Sequence, residues 1–200
     1  MSFKDYRKDS KMPLGIQRNN PGNLVFLEGN AWLGQTKRQD QTRVSSAGSS
    51  VQSRFTEFDN IGFGIRASMI NLRNYYFVKK LRTINDIIGT WAPKGDNNDV
   101  NAYAAFVADG SGIDPDKVFE FTRENCIKIL FSMFQMECGS KYGAYFSRTL
   151  IADVYDGKAG ETEGKEPIIM TAGFNNWQFI ALLIIVIGLF WKPITKFFRL

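Results

Sequence analysis

Two hundred residues suit one globular domain with a tail, and a composition that is 44% hydrophobic, with 17 Phe, 7 Tyr and 4 Trp, supplies a sizeable core. The chain has no histidine, which removes the His ligands of zinc amidases and peptidases and the His base that Ser and Cys hydrolases usually need. Acid–base chemistry then falls to carboxylates, and carboxylates at neutral pH point towards glycosidic bonds. The net charge of +5 is concentrated at one end: Lys192, Lys196 and Arg199 are the only charged residues after Glu166, and removing those three from 25 cations leaves 22 against 20 acidic residues. So even a balance does not mark a nucleic-acid partner.

Residues 1–12 read as a charged, polar tail without the features of a secretory signal. Residues 13–60 are rich in Gly, Asn, Ser and Gln, with β-like pieces at 24–27 and 54–58 and a polar loop at 35–53. Helical periodicity then begins. Residues 61–78 place Ile65, Met69, Leu72 and Tyr76 at helical spacing behind Asp59 or Asn60 as cap. Thr83 caps a short helix to Thr90, ahead of Trp91-Ala92-Pro93, and Asp99 caps a helix over 100–108. Asp114-Pro115 predicts the start of a central helix running to about Met136, apolar over most of its circumference and stopped by Gly139. A last helix is expected over 147–155. Cys126 and Cys138, twelve residues apart on that central helix, would stand ~18 Å apart and cannot bridge, which fits buried thiols.

The far end differs in kind. Residues 156–170 have the Gly- and charge-rich composition of a flexible linker. Residues 178–191, QFIALLIIVIGLFW, carry no charge, and with 171–177 they reach about 31 Å as a helix, enough for the ~30 Å hydrocarbon core. Trp177 and Trp191 stand where an aromatic belt would lie, and the basic residues follow at once. The expectation is a transmembrane anchor over 171–200 with the globular domain across the membrane from the basic C-terminus; a buried helix of the soluble fold is the alternative.

Glu137 is the candidate acid. It ends the central helix among Phe and Met side chains, where desolvation and the negative end of the helix dipole both raise a carboxyl pKa. A carboxylic acid still protonated at neutral pH is what a glycosidic leaving oxygen requires. The bland alternative is a Glu at a frayed helix end with its head in solvent. Glu57 and Glu28 are the rival acids; Asp96 and Asp99 read as loop and cap residues. Asn-Pro-Gly-Asn at 20–23 is a plain turn signature, but the preceding Arg18 and Asn19 add groups suited to sugar hydroxyls and N-acetyl groups, as do Asn20 and Asn23 themselves. Trp32, Trp91, Tyr103, Tyr142 and Tyr145 offer faces for sugar rings, or else serve as core and rim.

The ordered set Gly15-Ile16-Gln17-Arg18-Asn19-Asn20-Pro21-Gly22-Asn23-Leu24, Trp32-Leu33-Gly34, Phe55-Thr56-Glu57-Phe58-Asp59, Gly64-Ile65-Arg66-Ala67, Ile87-Ile88-Gly89-Thr90-Trp91-Ala92-Pro93, Asn98 to Tyr103, Glu137-Cys138-Gly139 and Tyr145-Phe146-Ser147 resembles the phage virion-associated lytic proteins, lysozyme-like muramidases or lytic transglycosylases. The resemblance covers about residues 13–155. It implies an α+β, mainly α, lysozyme-like domain with a loop-rich or β lobe on its N-terminal side, cutting the bond between N-acetylmuramic acid and N-acetylglucosamine in peptidoglycan glycan strands. Glu137-Cys138-Gly139 stands where the family has Glu-Asn-Gly, so Cys138 is a departure. The polar lobe also precedes the acidic helix, the reverse of the usual lysozyme order, which a circular rearrangement would reconcile if Glu137 lies near Arg18 and Asn23. No metal or cofactor is implied. Other virion proteins are further candidate partners, and the setting implied is a virion membrane or the host inner membrane. Hydrolase and transglycosylase both remain open. With no persuasive second carboxylate, the transglycosylase is favoured.

Overall fold

The computed structural model describes residues 3–158, except 8, 38–41, 45–49, 53 and 97. Its order is α1 (Leu14–Gln17), β1 (Thr42–Val44), β2 (Ser50–Gln52), α2 (Ile61–Phe77), α3 (Ile84–Trp91), α4 (Val100–Ser111), α5 (Arg123–Cys138) and α6 (Arg148–Tyr155), with 3-10 turns at Lys94–Asp96 and Ser140–Phe146. The fold is mainly helical. These residues lie in the first of two compact units, Met1–Ile168; the second, Ile169–Leu200, falls outside the described residues.

Helix starts follow local chemistry. The side chains of Asn60, Thr83, Asp99, Thr122 and Ser147 each accept a backbone N–H in the first turn of the helix they precede, satisfying donors that have no intrahelical partner. Three of these caps, Asn60, Thr83 and Asp99, stand where the sequence predicts them, and Ser147, expected as the first residue of the last helix, is its cap. The fifth, Thr122, corrects the expected start of the central helix. Asp114-Pro115 opens a turn instead: the Asp114 carboxylate accepts the Asp116 N–H at 3.1 Å, and the chain then continues outside any helix or strand to Thr122. Proline suits the second position of such a turn as well as the first of a helix. Tertiary contacts select the turn, because Tyr76 donates to the Phe119 carbonyl at 2.5 Å and Phe119 is buried against its ring.

Helix α5 packs against α4, α6 and the 3-10 turn that follows it, while α2 packs on α6 and α3 on α4. Ile129, Leu130, Met133 and Phe134 of α5 are fully buried, as are Ile65, Met69 and Leu72 of α2 and Ile84, Ile87 and Ile88 of α3. Burying a side chain of this size contributes ~1.5–3 kcal/mol, so α5 is the central element that its apolar circumference predicts. Cys126 and Cys138 are both buried and unbridged.

The N-terminal lobe departs from expectation in three places. The polar loop expected over 35–53 contains the antiparallel pair β1–β2, with Arg43 opposite Val51. The β-like pieces at 24–27 and 54–58 do find each other, through the bridge Val25–Phe55 and the bonds Phe26 N–H to Arg54 O and Thr56 N–H to Leu24 O, each 2.8 Å. Neither extends into a strand. Residues 3–7, expected as part of a free tail, are docked: the Ile61 N–H bonds the Lys4 carbonyl, the Tyr6 N–H bonds Asn19 Oδ1, and Arg7 pairs with Asp5 and Asp59. Among the described residues no helix is long and apolar enough to cross a membrane. The expected anchor at 171–200, and the linker from 159 onward, lie outside them.

A candidate active site at the end of helix α5

The site begins with a loop that turns on two Asn residues in the left-handed region. After the single turn of α1 the chain reverses over residues 18–24, with Asn19 at φ +53 and Asn23 at φ +48. Asn tolerates this left-handed region better than other residues with a Cβ. The loop is pressed so closely onto α2 and α3 that a Cβ on Gly22 would sit 2.5 Å from Ser68 Oγ and 2.9 Å from the Trp91 ring. Gly64 on α2 likewise leaves room for the Asn19 carbonyl.

Asn19 and Asn20 build this loop from inside. Both are fully buried. Asn20 donates to the carbonyls of Leu24 (3.0 Å) and Thr56 (2.9 Å) and accepts the Leu24 N–H (3.0 Å). Asn19 donates to the Phe58 carbonyl and to Asp5, both at 2.8 Å, while accepting the Tyr6 N–H at 2.9 Å. Arg18 is buried too, its guanidinium 5.5 Å from the Phe55 ring centre. These three are expected from the sequence to meet the substrate; in the structure all three are buried and none lines the cleft that opens against Asn23 and Trp91.

Asn23 is different. Its amide turns outward and donates to Glu137 Oε2 at 2.8 Å, while the Tyr103 hydroxyl donates to Glu137 Oε1 at 2.8 Å. Trp91 supplies a third side-chain hydrogen bond to the same carboxyl. The carboxyl is largely withdrawn from water, and this burial pushes its pKa up; the hydrogen bonds from Asn23, Tyr103 and Trp91 favour the anion and hold the rise back. Tyr103, buried on α4 beside the carboxylate, has its own pKa pushed well up and stays a phenol. Cys138 also stays protonated. Burial first, then the neighbouring Glu137 charge, push its thiol up to about 12, and the S–H faces the Pro21 carbonyl at 3.5 Å. At this position the departure from Glu-Asn-Gly is a second tie between α5 and the Asn-rich loop.

A cleft of about 610 Å³ opens against Asn23 and Trp91, two of the residues that hold this carboxyl; Glu137 itself is not part of its lining. Asn23, Trp32 and Trp91 line one part of it, and Asn71, Asn74 and Tyr75 of α2 line another. Trp32 and Trp91 therefore stand at the cleft, whereas Tyr103 holds the acid from behind. Tyr142 and Tyr145 lie in the 3-10 turn after α5, with Tyr145 edge-on to Tyr6 at 5.2 Å, and do not line it. Nor do the rival acids: Glu57 is buried in the lobe and Glu28 is exposed. Asp99 is the cap of α4. Asn71, Asn74 and Tyr75 escaped the sequence reading because polar residues at i, i+3 and i+4 look like the solvent face of an amphipathic helix. The compensating signal was the pair of Asn residues one helical turn apart.

No family model matches the chain. Over 131 residues, 66% of this chain and 74% of the relative, it is 30% identical to Protein P5 of Pseudoalteromonas phage PM2. The chain belongs to the Protein P5 family. A phage relative agrees with the phage setting expected from the motifs, and it leaves the chemistry to be argued from the site.

Proposed function

We propose that the chain is a peptidoglycan-cutting glycosidase of lysozyme-like type, with Glu137 as its acid and base. The observation that carries this reading is the carboxyl of Glu137, enclosed between Asn23 and Tyr103 at 2.8 Å each beside a cleft lined by amides and indoles. Planar amides match N-acetyl groups and hydroxyls, and indole faces match the apolar faces of sugar rings.

The proton inventory supports two linked steps. Burial keeps Glu137 protonated further towards neutrality, so it can deliver its proton to the glycosidic oxygen as the bond to the anomeric carbon breaks. The carboxylate left behind is then held by donors already in place on Asn23, Tyr103 and Trp91. It next takes a proton from the attacking nucleophile. In a hydrolase that nucleophile is water, usually set by a second carboxylate; in a lytic transglycosylase it is the 6-hydroxyl of the muramyl residue, which closes a 1,6-anhydro ring. Among the described residues no Asp or Glu lines the cleft, and Glu137 itself meets it only through Asn23 and Trp91; the lack of a second carboxylate there favours the transglycosylase. The apolar run over 171–200 supports a membrane-anchored placement in a phage particle or host membrane.

A binding-only role is the second reading, favoured by the fact that both oxygens of Glu137 already accept hydrogen bonds. A zymogram with the full chain beside Glu137→Gln separates the two. Clearing by the first and none by the second is the expected result; no clearing by either, with both proteins retained on sacculi, supports the binding role.

A further inference from the structure

The cleft has one charged residue among its described lining, and it is a cation: Lys79, which follows directly on the C-cap Val78 of α2. Its ammonium does not hang free. It sits 4.6 Å from the centre of the Tyr75 ring, a cation–π contact that fixes a charge in space. Tyr75 in turn meets Trp91 edge-on at 6.2 Å, and Trp91 hydrogen-bonds Glu137. Lys79, Tyr75, Trp91 and Glu137 thus form one run of contacts from a charged rim to the acid. Asn71 and Asn74 lie along the same face of α2. The same lining carries exposed Val25, Leu27 and Val78 and the uncharged polar side chains of Asn30 and Thr90.

We infer that Lys79 is a specificity-determining residue that selects an anionic glycan, one carrying carboxylates beside its sugar ring, over a neutral N-acetylglucosamine polymer. This rests on the glycosidase reading. A neutral strand satisfies the amides and indoles but leaves the ammonium with water; a strand with a projecting carboxylate gives it a partner at the mouth of the cleft, at the strength of an exposed, salt-screened ion pair. Two parts of peptidoglycan supply such a carboxylate: the lactyl group once the peptide is removed, and the stem peptide itself.

The test is calorimetric binding by the full chain in detergent, in a Glu137→Gln background that leaves the glycan uncut. Three hexasaccharides are compared: chitohexaose, a peptide-stripped muramyl glycan with free lactyl carboxylates, and the peptide-bearing glycan. The expected result is a preference for an anionic ligand of about three- to fivefold at low salt, the scale of one semi-exposed ion pair, shrinking as salt is added. Preference for the stripped glycan identifies the lactyl carboxylate, and preference confined to the peptide-bearing glycan identifies the stem peptide. Lys79→Gln should erase the preference and Lys79→Glu reverse it, with chitohexaose unaffected by either. Equal binding of all three ligands, or an equal loss for all three in Lys79→Gln, overturns the inference while leaving the glycosidase reading standing. No binding of any ligand overturns both.

Discussion

Asn23 and Glu137 lie 114 positions apart in the chain, and the Asn23 amide donates to the Glu137 carboxylate at 2.8 Å. The contact joins the Asn-rich loop to the end of helix α5, so a lobe that precedes the helix in sequence closes over its acid in space. The Asn-rich loop and the end of α5 therefore meet in space despite their separation in the chain. The bond also sets the chemistry, because it favours the anion against a burial that disfavours it.

Replacing Asn23 with Gly removes the amide while keeping a residue at ease at φ +48. The remaining donors no longer hold the pKa rise back as far. The acid limb of the pH–rate profile should persist to higher pH, the base limb should shift up with it, and kcat/KM at neutral pH should fall about 10–100-fold. A pH profile of muropeptide release checks this. An unchanged profile with an unchanged rate would show that Asn23 only braces the loop.

Glu137→Gln should stabilise the fold. The folded pKa of Glu137 lies above its ordinary 4.5, so between the two values the native state binds more protons than the unfolded chain. Stability therefore falls as pH rises from about 4.5 through the folded pKa. Gln cannot ionise, and the Asn23 amide can turn over to meet it. The variant should gain about 0.5–2 kcal/mol at pH 8, with the gain fading below pH 4.5. Urea unfolding at pH 4 and pH 8 measures it; a loss of stability at pH 8 would contradict the account.

The Asn-rich motif divides into residues that hold the fold and residues that face the cleft. Asn19→Ala removes three hydrogen bonds from a fully buried side chain and forces Ala to positive φ, for a cost of about 2–4 kcal/mol. Trp32→Ala, at the cleft and only partly buried against Leu24, Phe58 and Ala67, should cost less stability than Asn19→Ala but weaken glycan binding about tenfold or more. Thermal unfolding beside binding isotherms distinguishes them, and the reverse pattern would refute the division.

Acid should loosen the N-terminal segment first. Burial pushes the Asp5 carboxyl up, but hydrogen bonds from the Arg7 side chain and backbone and from Asn19, together with the Arg7 charge, outweigh it and bring the pKa down to about 2. A depressed folded pKa contributes stability above the usual 3.8 that is lost as pH falls towards 2. Asp5→Asn should remove that dependence. The protection of the Tyr6 and Ile61 amides, each rate taken relative to the intrinsic rate at that pH, should fall from pH 5 to pH 2.5 in the native chain and already be low in the variant.

Much of the helical part was legible because its signals are local. Asn60, Thr83, Asp99 and Ser147 cap helices by contacts within three residues. Asp114-Pro115 misled because turn and helix share that chemistry, and only Phe119 packing under Tyr76 decides between them. Glu137 was legible from the apolar residues before it. The burial of Arg18, Asn19 and Asn20 was not, since an amide that holds a loop and one that holds a sugar have the same composition and differ only in which way they face. The cleft wall of Asn71, Asn74 and Tyr75 needed the third dimension.

The most direct measurement is mass spectrometry of the products when purified sacculi are digested by the full-length chain. The account predicts soluble muropeptides ending in 1,6-anhydro-muramyl residues, none of them released by Glu137→Gln. Release of the same products by Glu137→Gln would contradict the role of Glu137, and no release by the native chain would contradict the enzyme itself.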